Sequence, residues 1–241
     1  MSVAPSLSAL RKRIDRFIWE NVSNDSLILR QILLDVFSDF DDFVIFGGMV
    51  RDIARGGRSE FRSDVDLVID APSDRVDLLA QRLGARRNKY GGYRVRLLSW
   101  DIDFWALSRS WAGRYVQIDS FEDLVETTFF DWDSVAYHVR DRRLICSREY
   151  LSPIKHRVLD VCFVVNPSVR GSVLKAIERI VDWQVVPGFY LHNLLNNVID
   201  EDLVVRVGAR RLALREIGGI QELKDFIFNR REDCSQFEIF D

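Results

Sequence analysis

Two aspartates one residue apart, Asp64 and Asp66, flank and enter the apolar run VDLVI, and the same spacing recurs as Asp101 and Asp103 in WDIDFWAL. In an extended strand residues two apart project to the same side, so each pair presents two carboxylates together. Carboxylates this close repel and raise each other's pKa unless a cation neutralises them. A hard, oxygen-preferring ion such as Mg²⁺ suits them, because it takes one or two carboxylates and completes its shell with water and substrate phosphates. A third carboxylate on a neighbouring strand is what two-metal phosphoryl transfer requires. One ion then activates an attacking hydroxyl while the other steadies a triphosphate and its leaving group. Asp103 and Asp101 are both candidates for that third position.

The phosphate half of such a site is also present. Gly47 and Gly48 close the apolar run FVIF and open MVRD, leaving bare backbone where a strand hands over to a helix. Exposed N–H groups and the positive end of a helix attract phosphate, and Arg51, one turn along, adds a charge-assisted contact. The segment RRNKYGGYRVR groups Arg86, Arg87, Lys89, Arg94 and Arg96 around two tyrosines. Alternation puts Arg94 and Arg96 on one side of their strand, as a triphosphate or nucleic-acid contact or as a solvated hairpin. Taken singly, each motif has a bland reading: Gly-Gly as a turn, Asp-x-Asp as a solvated strand end, Asp-Ile-Asp as a charged edge strand. Their occurrence in order on successive elements favours phosphoryl chemistry.

The elements that must hold these groups follow from periodicity. Leu10, Ile14, Phe17 and Ile18, then Leu27 to Phe37, recur at three-to-four spacing and predict helices over the first forty residues. FVIF predicts a strand, MVRDIAR a short helix and VDLVI a second strand. SDRVDLLAQRL predicts an amphipathic helix capped by Ser73. YRVRLL and DIDFWAL form two strands about a turn near Ser99, and SFEDLVETTF opens a helix with a Ser-x-x-Asp capping pattern. Short strands are expected around SVAYHV and RRLICS. Beyond residue 150 the texture becomes helical throughout, in SVLKAIERIVDW, GFYLHNLLNNVI, EDLVVRVGARRLALREI and IQELKDFIF. The class expected is α+β: N-terminal helices over 1–40, a small mixed-sheet domain over 41–150, and a helical region over 151–241.

Bulk properties narrow the partners. The chain has 241 residues, 47% hydrophobic and 29% charged, enough for a real core. No run approaches the roughly 18 apolar residues that span a bilayer, and the N-terminus lacks the apolar core of a signal peptide. Cys146, Cys162 and Cys234 are widely separated, which favours neither a disulfide framework nor a zinc knuckle. A reduced, cytoplasmic protein without a membrane partner is expected. The net charge of −3 gives no overall attraction to nucleic acid, although local basic clusters remain. His138, His156 and His192 lack metal-ligand spacing, and no serine or cysteine sits in a nucleophile setting. Arg206, Arg210, Arg211 and Arg215 fit a charged outer helix face better than a nucleic-acid surface. Trp100, Trp105 and Trp132 read as core.

GGMVRD followed by DVDLVID resembles the head domain of the polymerase-β-type nucleotidyltransferases, nearest to the branch of CCA-adding tRNA nucleotidyltransferases and bacterial poly(A) polymerases. FEDLVETTFFDWDSVAY is similar to that branch's second motif, with Phe130, Ala136 and Tyr137 keeping its skeleton, and NPSVRGSVLKAIERIV is placed like the helix that opens its neck. The likeness runs from about residue 43 to 185. It implies NMP transfer from an NTP to an acceptor hydroxyl, with two Mg²⁺ ions on Asp64 and Asp66. Asp103, or Asp101 as the alternate, would orient or deprotonate the acceptor. Gly47, Gly48, Arg51, Arg94 and Arg96 would bind the nucleotide. This chain departs from the family in three places. Thr127, Thr128 and Phe129 replace paired arginines and an aspartate, Asp133 replaces an asparagine, and no Glu-Asp-x-x-Arg base-reading element is found. CCA addition is therefore not expected. An RNA 3′ end is slightly favoured as acceptor over a protein or small-molecule hydroxyl, and a degenerate nucleotide-binding module is the remaining alternative.

Overall fold

The apolar spacing of the first forty residues produces helices α1 (Leu7–Asp15) and α2 (Asn24–Gln31) in the computed structural model, which describes residues 2–165 and 167–229. Ser6 and Ser23 cap them by accepting from backbone N–H groups three residues on. Each helix runs on into one π turn, Arg16–Glu20 and Ile32–Val36. The aliphatic and aromatic run Phe43–Phe46 is strand β1, and α3 (Gly48–Gly56) follows at once. Next come β2 (Val65–Ile69) and α4 (Ser73–Arg82). The basic hairpin is β3 (Arg86–Arg87) and β4 (Tyr93–Leu97), followed by β5 (Trp100–Ala106). After α5 (Phe121–Glu126) the chain forms β6 (Ala136–His138) and β7 (Arg143–Ile145), with α6 (Leu151–Lys155) beyond. The Ser120–Asp123 pair closes as a capping box, as its spacing predicts.

The seven strands form one mixed sheet in the order β3-β4-β5-β2-β1-β6-β7. Only β2 and β5 run parallel, joined through α4 and the hairpin; the other neighbours are antiparallel. This is the α+β, mixed-sheet class expected. Alternation along β5 buries Trp100, Ile102, Phe104 and Ala106 and turns Asp101, Asp103 and Trp105 to the other face. On that second face Val44, Val68, Leu107 and Ala136 pack under Phe121, Leu124 and Val125 of α5. Helix α5 thus covers one end of the face and leaves the next row, across Phe46, Asp66, Asp103 and Arg94, for polar groups.

Two sequence-based expectations change. Ser73 is the first residue of α4 rather than its cap; Pro72 holds the cap position and makes no side-chain cap bond. Proline's fixed φ and missing N–H suit it to that junction. The continuous helix expected over EDLVVRVGARRLALREI ends early, at Arg210, and Leu212–Leu214 form a 3₁₀ turn. Gly208 allows the reversal: the carbonyl of Leu214 comes back so close that a Cβ on Gly208 would lie 3.3 Å from it, and Leu214 is buried.

The described chain divides into two compact units, Met1–Thr128 with Trp132–Ile154, and Phe129–Asp131 with Lys155–Asp241. The second is built from α7 (Val169–Trp183), α8 (Phe189–Val198), α9 (Glu201–Arg210) and α10 (Ile220–Phe228), with a two-residue parallel pair β8 (Val158–Leu159) and β9 (Val186–Pro187). Phe130 pairs with Val161, and the Arg179 guanidinium lies 4.5 Å from the Phe130 ring centroid. Of the four arginines the sequence places on a charged outer helix face, three meet carboxylates: Arg206 pairs with Asp202, Arg210 with Glu178, and Arg211 with Asp182. Cys234 lies outside the described residues, and Cys146 is a free thiol. Among the described residues no helix is long and apolar enough to cross a membrane.

Candidate active site

The register of three strands assembles the acidic cluster. Asp66 of β2 lies directly beside Asp103 of β5, and Asp103 lies directly opposite Arg94 of β4. Asp64, just before β2, joins them through Arg94. The Arg94 Nη2 donates to Asp64 Oδ2 at 2.6 Å and to Asp103 Oδ2 at 2.6 Å, and its Nε donates to Asp103 Oδ1 at 2.7 Å. Asp101 faces the same way two residues along β5, roughly 7 Å on, and pairs with Arg96 at 2.9 Å instead. The structure therefore brings Asp64, Asp66, Asp103 and Arg94 together, and sets Asp101 and Arg96 one row apart.

Electrostatics mark Asp66 as the centre of this cluster. Burial pushes its carboxyl up to about 7, and the neighbouring carboxylates of Asp103, Asp64 and Asp133 push the same way against the pull of Arg51. Arg94 is held more firmly protonated than a free guanidinium, first by its hydrogen bonds to Asp103, which outweigh its partial burial. Among the described residues no three His, Cys, Asp or Glu side chains are already arranged as a metal-ligand set. The chemistry of the donors nevertheless fits a hard cation: carboxylate oxygens from adjacent strands, whose mutual repulsion adds to burial in raising the Asp66 carboxyl.

The glycine pair stands beside these carboxylates. A Cβ on Gly48 would lie 2.9 Å from the Oγ of Ser63, the residue before Asp64, and a Cβ on Gly47 would lie 3.5 Å from the carbonyl of Asp133. Gly47 has φ of 58° and ψ of −103°, a conformation that L side chains rarely adopt. Its N–H donates to the Val135 carbonyl at 2.8 Å, tying the start of α3 to β6. Replacing Gly47 with alanine should cost roughly 1–3 kcal/mol of stability, read as a lower urea midpoint with unchanged slope.

Arg51 is placed differently from the expected phosphate contact. It is buried, 7% exposed, and its guanidinium pairs with Asp52 and Asp133. Burial alone would ease its proton off, but the two carboxylates outweigh that and hold it charged. Asp52 in turn accepts from the Arg62 backbone N–H at 3.2 Å, fixing the loop that leads to β2. Arg51 thus braces the glycine turn against Asp133. Losing Arg51 would leave the buried Asp52 carboxylate without its guanidinium. Asp133 is the member that sequence reasoning noticed only as a departure. Its partnership with Arg51 spans 82 residues and leaves no local signal.

No protein-family model matches the sequence, and no curated protein matches it. Solved structures do. A Thermotoga maritima CCA-adding enzyme complexed with tRNA superposes with a TM-score of 0.59 at 17% identity, covering 98% of this chain and 55% of that one. A Bacillus stearothermophilus CCA-adding enzyme in complex with CTP gives 0.54 at 13% identity, over 78% of this chain and 48% of its own. A structure described as a tRNA-processing enzyme complex gives 0.52 at 20% identity, over 83% and 56%. The fold is that of the polymerase-β-type nucleotidyltransferases. This chain spans about half the length of the solved structures it matches.

Within the nucleotidyltransferase fold, the residues that depart from the second motif have structural employment. Thr127 Oγ1 donates to the Leu124 carbonyl at 2.7 Å, and the buried Thr128 hydroxyl bonds with Ser134 Oγ, together closing the end of α5. Phe129 packs edge-on against Phe130 at 4.7 Å. Arg109 pairs with Asp77, which also accepts from the Tyr93 hydroxyl at 2.6 Å on the other face of the hairpin. Trp100 and Trp132 are core residues, and Trp105 packs against the α5 cluster. His138 is buried against Asp42.

Proposed function

We propose that this protein is a metal-dependent nucleotidyltransferase that moves NMP from an NTP to an acceptor hydroxyl and releases pyrophosphate. The observation that carries the reading is the row of Asp66 and Asp103 on parallel strands, with Asp64 joined to it, beside a glycine turn that opens α3. Asp64, Asp66 and Asp103 would hold Mg²⁺, one ion or two. When bound, such an ion neutralises the triphosphate and makes the acceptor hydroxyl easier to ionise. Asp103 orients that hydroxyl or takes its proton. Gly47 and Gly48 let the triphosphate approach the first turn of α3, whose N–H groups lack partners inside the helix. Arg51 keeps that turn in place from beneath. Arg94 and Arg96 supply positive charge along the hairpin edge.

Two acceptor classes follow from different observations. Solved structures of the same fold are described in complex with tRNA, CTP and ATP, which supports NTP as donor and an RNA 3′ end as acceptor. The absence of a recognisable base-reading element and the self-paired arginines of the second unit support a protein or small-molecule hydroxyl. A second reading, a nucleotide-binding module without turnover, is favoured by one feature, the arginine inserted among the carboxylates. Pyrophosphate release from each NTP with Mg²⁺ separates these readings. Labelled NTP offered to total RNA and to total protein then names the acceptor. Release above background that vanishes in Asp64→Ala/Asp66→Ala supports transfer; activity surviving that change sinks it.

A further inference from the structure

A divalent cation and Arg94 need the same oxygens. Arg94 grips Asp103 with two donors and reaches Asp64 with a third contact, all at 2.6–2.7 Å. Mg²⁺ binds carboxylate oxygens at about 2.0–2.1 Å and demands near-octahedral geometry. A guanidinium seated on the Asp64 and Asp103 oxygens blocks that approach both by volume and by charge. Charge-assisted forks of this kind are among the stronger polar contacts in proteins, so the competition is substantial. The arginine is also free to leave. Its side chain is 56% exposed, against 16% for Asp103, and it projects from β4 near the end of the sheet, with only β3 beyond. Its cross-strand neighbour on β3 is Arg86, which is exposed and offers Arg94 no carboxylate.

We propose that Arg94 is an internal counter-ion that exchanges with the divalent metal, closing the carboxylate site until metal displaces it. This rests on the reading of Asp64, Asp66 and Asp103 as metal ligands. The exchange needs no bond-making beyond coordination: the guanidinium keeps its proton, rotates out to solvent, and the cation takes the vacated oxygens. It makes bare metal bind weakly by design and makes Arg94 a suppressor, rather than a supporter, of metal affinity.

The test is direct Mn²⁺ binding to the full chain without nucleotide, read by the electron paramagnetic resonance of free Mn²⁺. Arg94→Gln should bind Mn²⁺ at least about tenfold more tightly than wild type, the equivalent of one good charged contact. Arg94→Lys, which keeps the charge but loses the fork, should fall between them. Circular dichroism and a urea midpoint establish that each variant is folded. Equal or weaker Mn²⁺ binding in Arg94→Gln overturns the exchange. In that event Asp64→Ala/Asp66→Ala shows where the failure lies. If the double change abolishes Mn²⁺ binding, the carboxylate reading stands and only the exchange is lost. If binding persists unchanged, the metal is held elsewhere and both fall.

Discussion

Asp66→Asn and Asp103→Asn should each lower NMP transfer roughly a thousand-fold or more, a loss of about 4 kcal/mol of transition-state stabilisation. Asparagine keeps the size of the side chain and removes one charge, so the effect isolates electrostatics from packing. Both positions sit in the single row where β2 and β5 run side by side, and each contributes an oxygen to the only place where three carboxylates and Arg94 meet among the described residues. Asp101→Asn is the matched control. It lies on the same strand and the same face, but its partner is the exposed Arg96, and activity should change no more than a few-fold. Pyrophosphate release at saturating NTP and Mg²⁺ measures all three, with urea midpoints showing that the sheet persists. If Asp101→Asn abolishes transfer while Asp103→Asn does not, the assignment of the third carboxylate reverses. If none of the three matters, the chemistry is not here.

The choice between Asp101 and Asp103 shows where sequence reasoning runs out. Period-two alternation is local, so it puts both residues on one face with no structure at all. Which of them meets Asp66 depends on how β5 slides against β2, a long-range register set by the burial of Val65, Leu67, Ile102 and Phe104 on the opposite face. The glycine pair was legible for a similar local reason: strand, glycine and helix follow one another directly. The fate of Arg51 was not. Its spacing from Gly48 suits a phosphate, but Asp133 arrives from a distant segment through the pairing of β1 with β6 and turns the guanidinium inward. Arg94 was foreseen on the correct side of its strand, yet as a ligand for a triphosphate. Only the pairing of β4 with β5 places it on the carboxylates. Most of what depends on short-range periodicity is readable, the cap of α4 and the end of α9 excepted, and what depends on which strands pair is not.

The same Asp66→Asn change should stabilise the metal-free protein at pH 8 while destroying its activity. Burial and three neighbouring carboxylates lift the Asp66 carboxyl to about 7 in the folded state, against 3.8 for an unperturbed aspartate. The folded chain therefore holds this proton more tightly than the unfolded chain. Its contribution to stability is fully present below about pH 4 and is lost as pH rises through about 7. At about 1.4 kcal/mol per pKa unit, the ceiling on that loss is ~4 kcal/mol. Asparagine is neutral at every pH and escapes it. Urea unfolding in the presence of a chelator, from pH 5 to pH 8, should show wild type losing stability relative to Asp66→Asn by up to about 2.7 kcal/mol, the part of that ceiling that falls above pH 5, most of it between pH 5 and 7. Groups elsewhere titrate equally in both proteins and cancel in the difference. Parallel profiles would mean that Asp66 is solvated and uncoupled from Asp64, Asp103 and Asp133, and the crowding of negative charge that makes this row a cation site would go with it. A diverging pair of profiles would show a fold that gives up stability at one residue to hold charge where a nucleotide's metal is wanted.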